Sequence, residues 1–172
     1  MKPAQQAGYT LVEGVITAAI LALLASLALQ HGGKTLAQQR LEAATRRLAL
    51  GVEQGRAAAE ASGRPCALEL GEQGWQVPTG GELPGCAAPM VGLDEGVQPA
   101  DVALSHNLPA ALRFSSNGLV LDGGTVVLSS EGTELRRCLV IALPLGVVRL
   151  GRYGGAGQAP PDSAACSPDP TL

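Results

Sequence analysis

One carboxylate stands alone in the first apolar segment of this chain. Glu13 lies near the start of residues 9–29, which carry no other charged side chain. The segment is about 21 residues long, or roughly 31 Å as a helix, which matches the hydrocarbon core of a bilayer. A carboxylate inside a membrane costs about 2.5–3.5 kcal/mol on insertion scales, and such residues usually serve a function. Glu13 is therefore the first candidate functional residue, because it brings a charge into an apolar segment.

Two simpler interpretations of the same segment stay open. The segment has features of a secretory signal peptide, with Lys2 before the apolar run and small residues suited to cleavage near Ser26-Leu27-Ala28. It also has the length of a plain membrane anchor in which the carboxylate is incidental. However, Glu13 interrupts the apolar run, and only one basic residue lies in the polar stretch before it. These features favour an anchor that is processed and retained.

The residues around Glu13 resemble the leader junction of type IV pilins and type II secretion pseudopilins. That family has a glycine, an aromatic residue, a threonine, two aliphatic residues and a glutamate as the fifth mature residue. The resemblance implies that a prepilin peptidase cuts between Gly8 and Tyr9 on the cytoplasmic side and methylates the new amine of Tyr9. Because the cut precedes the apolar segment, the membrane helix is retained. Tyr9 replaces the usual phenylalanine, Gly14 stands where an aliphatic residue is commoner, and the whole motif is Gly8-Tyr9-Thr10-Leu11-Val12-Glu13.

The four cysteines indicate disulfide bonds rather than a metal site. Cys66, Cys86, Cys138 and Cys166 include no Cys-x-x-Cys pair, and with only two histidines in the chain they show no zinc spacing. In an oxidising compartment three pairings are open. We favour Cys66–Cys86, which closes a local loop, and Cys138–Cys166, which ties the tail to a strand. Free buried thiols are the alternative.

No arrangement of side chains indicates catalysis. His31 and His106 lie in different contexts, and neither has a nucleophile or an acid in a recognised motif around it. Asp94, Glu95 and Asp101 lack the spacing of a calcium loop. The formal charge of −3 gives no electrostatic reason to expect general nucleic-acid binding. We therefore expect a protein that is not an enzyme and that has no cofactor and no metal site.

The apolar segment is expected to continue into an amphipathic helix. Residues 34–61 are rich in good helix formers, whereas Gly32 and Gly33 are a predicted weak point, since each costs about 1 kcal/mol in a helix interior. Residues 62–65, Ser-Gly-Arg-Pro, have the types that end a helix. One apolar stripe at three- and four-residue steps is predicted to cover a sheet. Its members are Ala37, Leu41, Ala44, Leu48 and Val52.

After Pro65 the pattern changes to short strands separated by turns. Trp75 is expected to anchor an early strand, and Asn117-Gly118 suits a hairpin turn. Residues 78–109 are rich in glycine and proline, with one short strand expected near 97–104. The other strands are predicted at 66–70, 74–77, 111–114, 119–121, 125–129, 136–143 and 147–150.

This order of elements resembles the GspH/FimT group of minor pilins and pseudopilins. The resemblance implies an α+β fold in which one long N-terminal helix, half membrane-spanning and half amphipathic, packs on two small antiparallel sheets. The group's usual Gly-Arg-x-Arg near the last strand is not intact, because Val147 follows Gly146 and no second arginine stands two positions after Arg152. The resemblance rests on Arg64-Pro65-Cys66, Gly74-Trp75, Leu112-Arg113-Phe114, Asn117-Gly118, and residues 136–141 and 146–149.

The predicted organisation follows from the resemblance and from the composition. A leader of residues 1–8 is cleaved, and a single transmembrane helix of residues 9–30 stays in the inner membrane. An amphipathic continuation of the helix, an antiparallel β domain in the periplasm and a Gly/Pro-rich tail follow it. Their predicted ranges are 31–64, 65–152 and 153–172.

By this resemblance the chain is a minor pilin or pseudopilin. Its partners are the prepilin peptidase, the inner membrane and other pilin or pseudopilin subunits, with which it assembles at the tip of a type IV pilus or a type II secretion pseudopilus. Glu13 is expected to pair with the N-terminal amine of a neighbouring subunit's Tyr9, which offsets the membrane cost of the charge and sets the axial register. The sequence leaves pilus and secretion system both open, and its alanine-rich anchor favours the pilus.

Two other functions also stay open. A DNA-binding minor pilin for DNA uptake, as in competence-linked relatives, would contact phosphates through Arg149 and Arg152, with Arg136 or Arg137. The acidic chain makes solvated arginines the simpler interpretation. The other alternative is a periplasmic protein secreted with a cleaved signal peptide, which would begin near Leu29 rather than at Tyr9.

Overall fold

The computed structural model describes residues 10–87, 93, 102–143, 145–156 and 160–169, and at 27–31 only the helical backbone. One long helix precedes two antiparallel sheets, so the α+β class expected from the sequence is confirmed. The chain divides into two compact units, residues 1–36 and 37–172. The elements are helix α1 (Leu11–Ser62), strands β1 (Cys66–Gly71), β2 (Gly74–Gln76), β3 (Ala103–His106), β4 (Leu112–Phe114), β5 (Gly124–Ser130), β6 (Thr133–Ala142), β7 (Val147–Tyr153), a short 3-10 helix (Ser163–Ala165) and β8 (Cys166–Pro168).

In the first unit the described chain is helical from Leu11 and exposes apolar side chains on every side. The composition explains this exposure, because leucine, valine, isoleucine and alanine occupy all faces of the helix. Within the side chains that the structure describes, no helix is both long and apolar enough to cross a membrane. The predicted weak point at Gly32-Gly33 does not interrupt the helix, which continues to Ser62.

In the second unit the predicted apolar stripe of α1 is confirmed. Leu41, Ala44, Leu48 and Val52 are fully buried, and Ala37 nearly so. The three- and four-residue steps place these side chains on one face of the helix, where they form the core with both sheets. The helix ends at Ser62 as predicted, and the next residue, a glycine, has a φ of +62°, which a residue without a Cβ adopts at no steric cost.

A three-stranded antiparallel sheet in the order β2-β1-β4 packs closely on the helix backbone. The ring of Trp75 lies over Gly51, and the ring of Phe114 lies over Gly55. The indole Nε1 of Trp75 donates a hydrogen bond of 2.8 Å to the carbonyl oxygen of Leu48, so Trp75 is the anchor that the sequence predicts. A Cβ at either glycine would meet a ring at less than 3.0 Å, and the two positions are therefore small because large aromatic groups face them.

A five-stranded antiparallel sheet in the order β3-β5-β6-β7-β8 has two buried faces. Because side chains alternate along a strand, Leu139 and Ile141 of β6 face the core formed with α1, which we call the inner face. Their neighbours Cys138 and Val140 belong to a second, smaller cluster on the outer face. That cluster also contains Val127, Tyr153 and Cys166.

The C-terminal segment differs from the tail predicted at 153–172. Strand β7 continues to Tyr153, and β8 then joins the same sheet by pairing with β7. The favoured Cys138–Cys166 disulfide ties this segment to β6, and ladder hydrogen bonds pair residues 166–168 with β7, so the sheet extends beyond residue 152. Strand β3 at Ala103–His106 overlaps only the end of the strand expected near 97–104, of which residues 97–101 lie outside the described residues. Residues 119–121 contribute a single bridge, Phe114 to Val120, rather than a strand.

Candidate functional site

Glu13 closes a capping box at the start of α1. Its Oε2 accepts hydrogen bonds of 3.1 Å from both the backbone N–H and the hydroxyl of Thr10, and its own N–H donates to Thr10 Oγ1 at 3.3 Å. This reciprocal pattern satisfies backbone donors that a helix start otherwise leaves unpaired. The sequence signal for this capping box, which the sequence analysis does not include, is Thr-x-x-Glu directly before an apolar run.

The residues on either side of Glu13 complete the leader motif and begin the apolar segment. Gly8 and Tyr9, the predicted cleavage and methylation residues, lie outside the described residues. Gly14 follows Glu13 in the helix, and a Cβ added to it would meet nothing within 4 Å. The apolar side chains on either side of Glu13 and Gly14 are exposed along this part of the helix. The large ones are Leu11, Val12, Val15, Ile16, Ile20, Leu21, Leu23 and Leu24.

Both favoured disulfide pairings are present in the structure. Cys66 pairs with Cys86 and Cys138 pairs with Cys166, with S–S distances of 2.07 and 2.06 Å. The first bond fastens the loop before residue 87 to β1. Two backbone hydrogen bonds support it, because Ala67 donates to the Pro84 carbonyl and Cys86 donates to the Ala67 carbonyl.

The second disulfide joins β6 to β8 across the intervening strand β7. Cys138 lies opposite Gly151 in the ladder, and Tyr153 lies opposite Cys166, so the sulfurs pass over the outer face at Gly151. A Cβ at Gly151 would meet the Ser167 carbonyl oxygen at 2.1 Å and the Cys166 sulfur at 3.3 Å. No local pattern marks this glycine, because the strand order determines which segment lies against it.

A buried ion triad links the helix to the C-terminal segment. Arg137 has a side chain only 4% exposed, and its two terminal nitrogens donate to Glu42 of α1 and, at 2.6 Å, to Asp169. Burial lowers the pKa of Arg137, but the hydrogen bonds to Asp169 and Glu42 outweigh burial and leave that pKa raised. Arg137 is therefore a structural residue, which overturns its suggested availability for DNA phosphates.

The remaining arginines suggested for DNA do not form one surface. Arg149 and Arg152 are three residues apart on β7, so their side chains leave opposite faces of the sheet. Arg149 lies on the outer face and donates to the Ser163 carbonyl at 3.3 Å, whereas Arg152 lies on the inner side, 4.0 Å from Asp169. Arg136 packs over the Tyr153 ring and donates to the Gly155 carbonyl. A single phosphate-binding track through Arg149 and Arg152 is not formed.

The described residues contain no grouping that would hold a metal ion. No three histidine, cysteine, aspartate or glutamate side chains converge among them. Asp94, Glu95 and Asp101, considered above as a calcium loop, lie outside the described residues. His106 is an exposed residue at the end of the edge strand β3.

Two family models match the chain, and they cover successive parts of it. Residues 3–29 match the prokaryotic N-terminal methylation motif, and residues 44–144 match type II transport protein GspH. The first match includes Gly8, Tyr9 and Glu13, and the second runs from the amphipathic part of α1 to the end of β6. Comparison with curated proteins and with solved structures gave no match.

Proposed function

Because the chain belongs to the GspH family of type II transport proteins, we propose that it is a minor pilin or pseudopilin that assembles into the tip of a pseudopilus or of the related type IV pilus. One observation carries this proposal: a methylation motif stands directly before a GspH domain in the same chain. The family is a structural one, which agrees with a role as an assembled subunit rather than as an enzyme.

The first step of the proposed pathway is processing of the leader. A prepilin peptidase cuts the bond between Gly8 and Tyr9 and methylates the amine of Tyr9. The matched methylation motif supports this step, because it spans the junction and the apolar residues behind it. Cleavage leaves Thr10 and Glu13 in the mature chain. The helix that they cap then begins at Leu11, two residues after the new N-terminus at Tyr9.

The second step places the helix in the inner membrane, with the β domain in the periplasm. The sequence from Tyr9 to Leu29 supports it, since about 21 residues with one charge match the thickness of a bilayer core. The two disulfides also favour the oxidising side of that membrane. Neighbouring subunits then cover the apolar helix surface as the filament forms.

Glu13 has two roles in this pathway, one in the subunit and one in the assembly. In the subunit its carboxylate accepts from Thr10, which reduces the cost of carrying a charge in an apolar segment. In the assembly the carboxylate pairs with the positively charged amine of a neighbour's Tyr9. When the carboxylate exchanges Thr10 for the amine of a neighbour's Tyr9, it has a hydrogen-bond donor at every stage. Only the pairing with the amine joins two subunits, so only that pairing sets the register between them.

The test separates these two roles with three variants of the full chain. Glu13→Ala removes both the cap and the charge, and Glu13→Gln keeps a capping oxygen without the charge. Thr10→Val removes the hydroxyl from the capping box but keeps the backbone N–H and the charge of Glu13. We expect all three to be cleaved, Glu13→Ala and Glu13→Gln to be absent from sheared filaments, and Thr10→Val to be incorporated. Normal incorporation of Glu13→Gln would refute the intersubunit ion pair and leave the capping role alone.

Processing is tested by mass spectrometry of the mature N-terminus. We expect a methylated Tyr9 in the wild-type chain and the uncleaved precursor in Gly8→Asp, because the peptidase must accommodate a small residue before the cut. A mature chain that begins near Leu29 would identify a secretory signal peptide instead. It would refute the proposal that the chain is a pilin or pseudopilin that retains its N-terminal helix.

A further inference from the structure

A cavity of about 460 Å³ lies on the outer face of the five-stranded sheet, between that face and the C-terminal segment. Strands β5, β6 and β7 form its floor, and the start of the 3-10 helix forms one wall. The volume is within the range of small-ligand sites in proteins. The lining side chains that matter below are Asn107, Thr125, Val140, Val147, Arg149 and Asp162.

The wall of this cavity is held in place by independent contacts. The Asn107 side chain donates a hydrogen bond of 2.8 Å to the Pro161 carbonyl, and the Tyr153 hydroxyl accepts from the Asp162 N–H at 3.3 Å. The Cys138–Cys166 disulfide fixes the chain just after the 3-10 helix. A cavity whose wall is already ordered binds a ligand without a further loss of chain entropy.

Arg149 brings to the cavity a positive charge that forms no ion pair among the described residues. Its guanidinium donates to the Ser163 carbonyl at 3.3 Å, and among the described residues no carboxylate lies within ion-pair distance of it. The exposed guanidinium retains donors, and its planar fork matches a carboxylate. Val140 and Val147 provide apolar surface beside it.

The other charged group of the lining limits what the cavity accepts. Asp162 uses Oδ1 to accept from the Ala164 N–H at 3.0 Å, so its carboxylate has a structural role at the start of the 3-10 helix. One arginine and one aspartate give the lining no net positive charge, so an anion is held there only by direct pairing with the Arg149 guanidinium. One carboxylate matches that guanidinium, whereas a doubly charged phosphate brings more negative charge than one guanidinium offsets.

We propose that this cavity binds a carboxylate carried on a short apolar peptide, with Arg149 on the carboxylate and Val140 and Val147 against the apolar part. The carboxylate is either a free C-terminus or an acidic side chain, since both present the same planar group. This site is separate from Glu13 and does not depend on the assembly role proposed above.

The test measures binding of four probes to the full chain in detergent micelles by isothermal calorimetry. The probes are an acetylated alanine–leucine tripeptide with a free C-terminus, the same peptide amidated, an amidated version with an internal glutamate, and inorganic phosphate. We expect at least one of the two carboxylate peptides to bind about tenfold or more tighter than the amidated neutral peptide and than phosphate. Comparison of those two peptides then identifies the source of the carboxylate.

Three variants make the test specific to the cavity. Arg149→Gln should weaken the binding of the carboxylate peptide about tenfold or more, while Arg152→Gln, the same change on the opposite face of β7, should leave it unaltered. Asp162→Asn should tighten binding, because the amide keeps the capping oxygen but removes a like charge. An unchanged thermal midpoint shows that each variant is folded.

The proposal is overturned by any of three results. These are no binding of either carboxylate peptide at millimolar concentration, equal binding of the amidated neutral peptide, and binding to folded Arg149→Gln that matches the wild type. Tighter binding of phosphate than of the carboxylates would also overturn it and would identify an anion site of another class.

Discussion

Asp169→Asn tests whether the buried triad holds the C-terminal segment to the helix. The carboxylate of Asp169 accepts from Arg137 at 2.6 Å, and the change leaves a guanidinium that is only 4% exposed with Glu42 as its one charged partner. Breaking a buried ion pair costs about 3–5 kcal/mol. Because Glu42 remains and the asparagine oxygen still accepts a hydrogen bond, only the charge of Asp169 is lost, and we expect a smaller decrease of about 2–3 kcal/mol in the free energy of unfolding.

The assay is urea and thermal unfolding of the full chain in detergent micelles. The single tryptophan, Trp75, is buried and bonded to the helix backbone, so its fluorescence reports separation of helix and sheet. A loss of this size lowers the thermal midpoint by about 8–12 °C in a unit of this length. The loss should persist in high salt, because water and ions screen a buried pair far less than an exposed one.

Arg152→Gln is the matched control. Arg152 lies 4.0 Å from the same carboxylate oxygen, but its side chain is 65% exposed, and exposed pairs contribute little. We expect this variant within about 0.5 kcal/mol of the wild type. If Asp169→Asn costs no more than Arg152→Gln, or if its cost vanishes in high salt, the triad behaves as a surface pair and the reasoning is refuted.

Three other perturbations test the packing of Trp75 on the helix, the pairing of β8 with β7, and the Arg113–Asp122 ion pair. Gly51→Ala should lower the free energy of unfolding by about 1–3 kcal/mol, because its Cβ would lie 2.1 Å from the Trp75 ring. The control Gly33→Ala has open space around it and should not destabilise the chain in the same unfolding assay. Gly151→Ala should also lower the free energy of unfolding by about 1–3 kcal/mol and should speed hydrogen exchange in β8, since its Cβ would clash with the Ser167 carbonyl. Unchanged exchange in β8 would contradict the strand order there. The hydrogen bond from Arg113 lowers the pKa of Asp122, so the pair's contribution is complete above the ordinary aspartate pKa of about 3.9 and is lost as pH falls through the lower folded value. The free energy of unfolding, measured from neutral to strongly acidic pH, should therefore fall at acid pH, and Asp122→Asn should reduce that fall.

Local chemistry made much of the fold predictable. The helix stripe from Ala37 to Val52 follows from its period, and the helix end at Ser62 follows from a glycine and a proline that cannot continue it. The strands at Cys66–Gly71 and Thr133–Ala142 follow from β-forming residues between turn signals. These features depend on neighbours in sequence, which the chain itself displays.

Features that depend on strand order were not predictable in the same way. Cysteine spacing left three pairings open, and the positions of β6, β7 and β8 in one sheet bring Cys138 and Cys166 together. Strand β8 was not predicted, because glycine, proline, alanine and serine carry little strand signal and its order comes from pairing with β7. Arg136, Arg137, Arg149 and Arg152 looked alike in sequence, yet they have different environments in the fold.

The family is recognisable from the order of the leader motif, the apolar segment and the strand pattern, because each is a local arrangement of residue types. The roles of the charged and small residues depend instead on the folded structure. It buries Arg137 between Glu42 and Asp169, places aromatic rings over Gly51 and Gly55, and leaves Arg149 at a cavity on the outer face. The physical reason is that burial and ion pairing depend on which distant segments meet, and that information appears only when the sheets have formed on the helix.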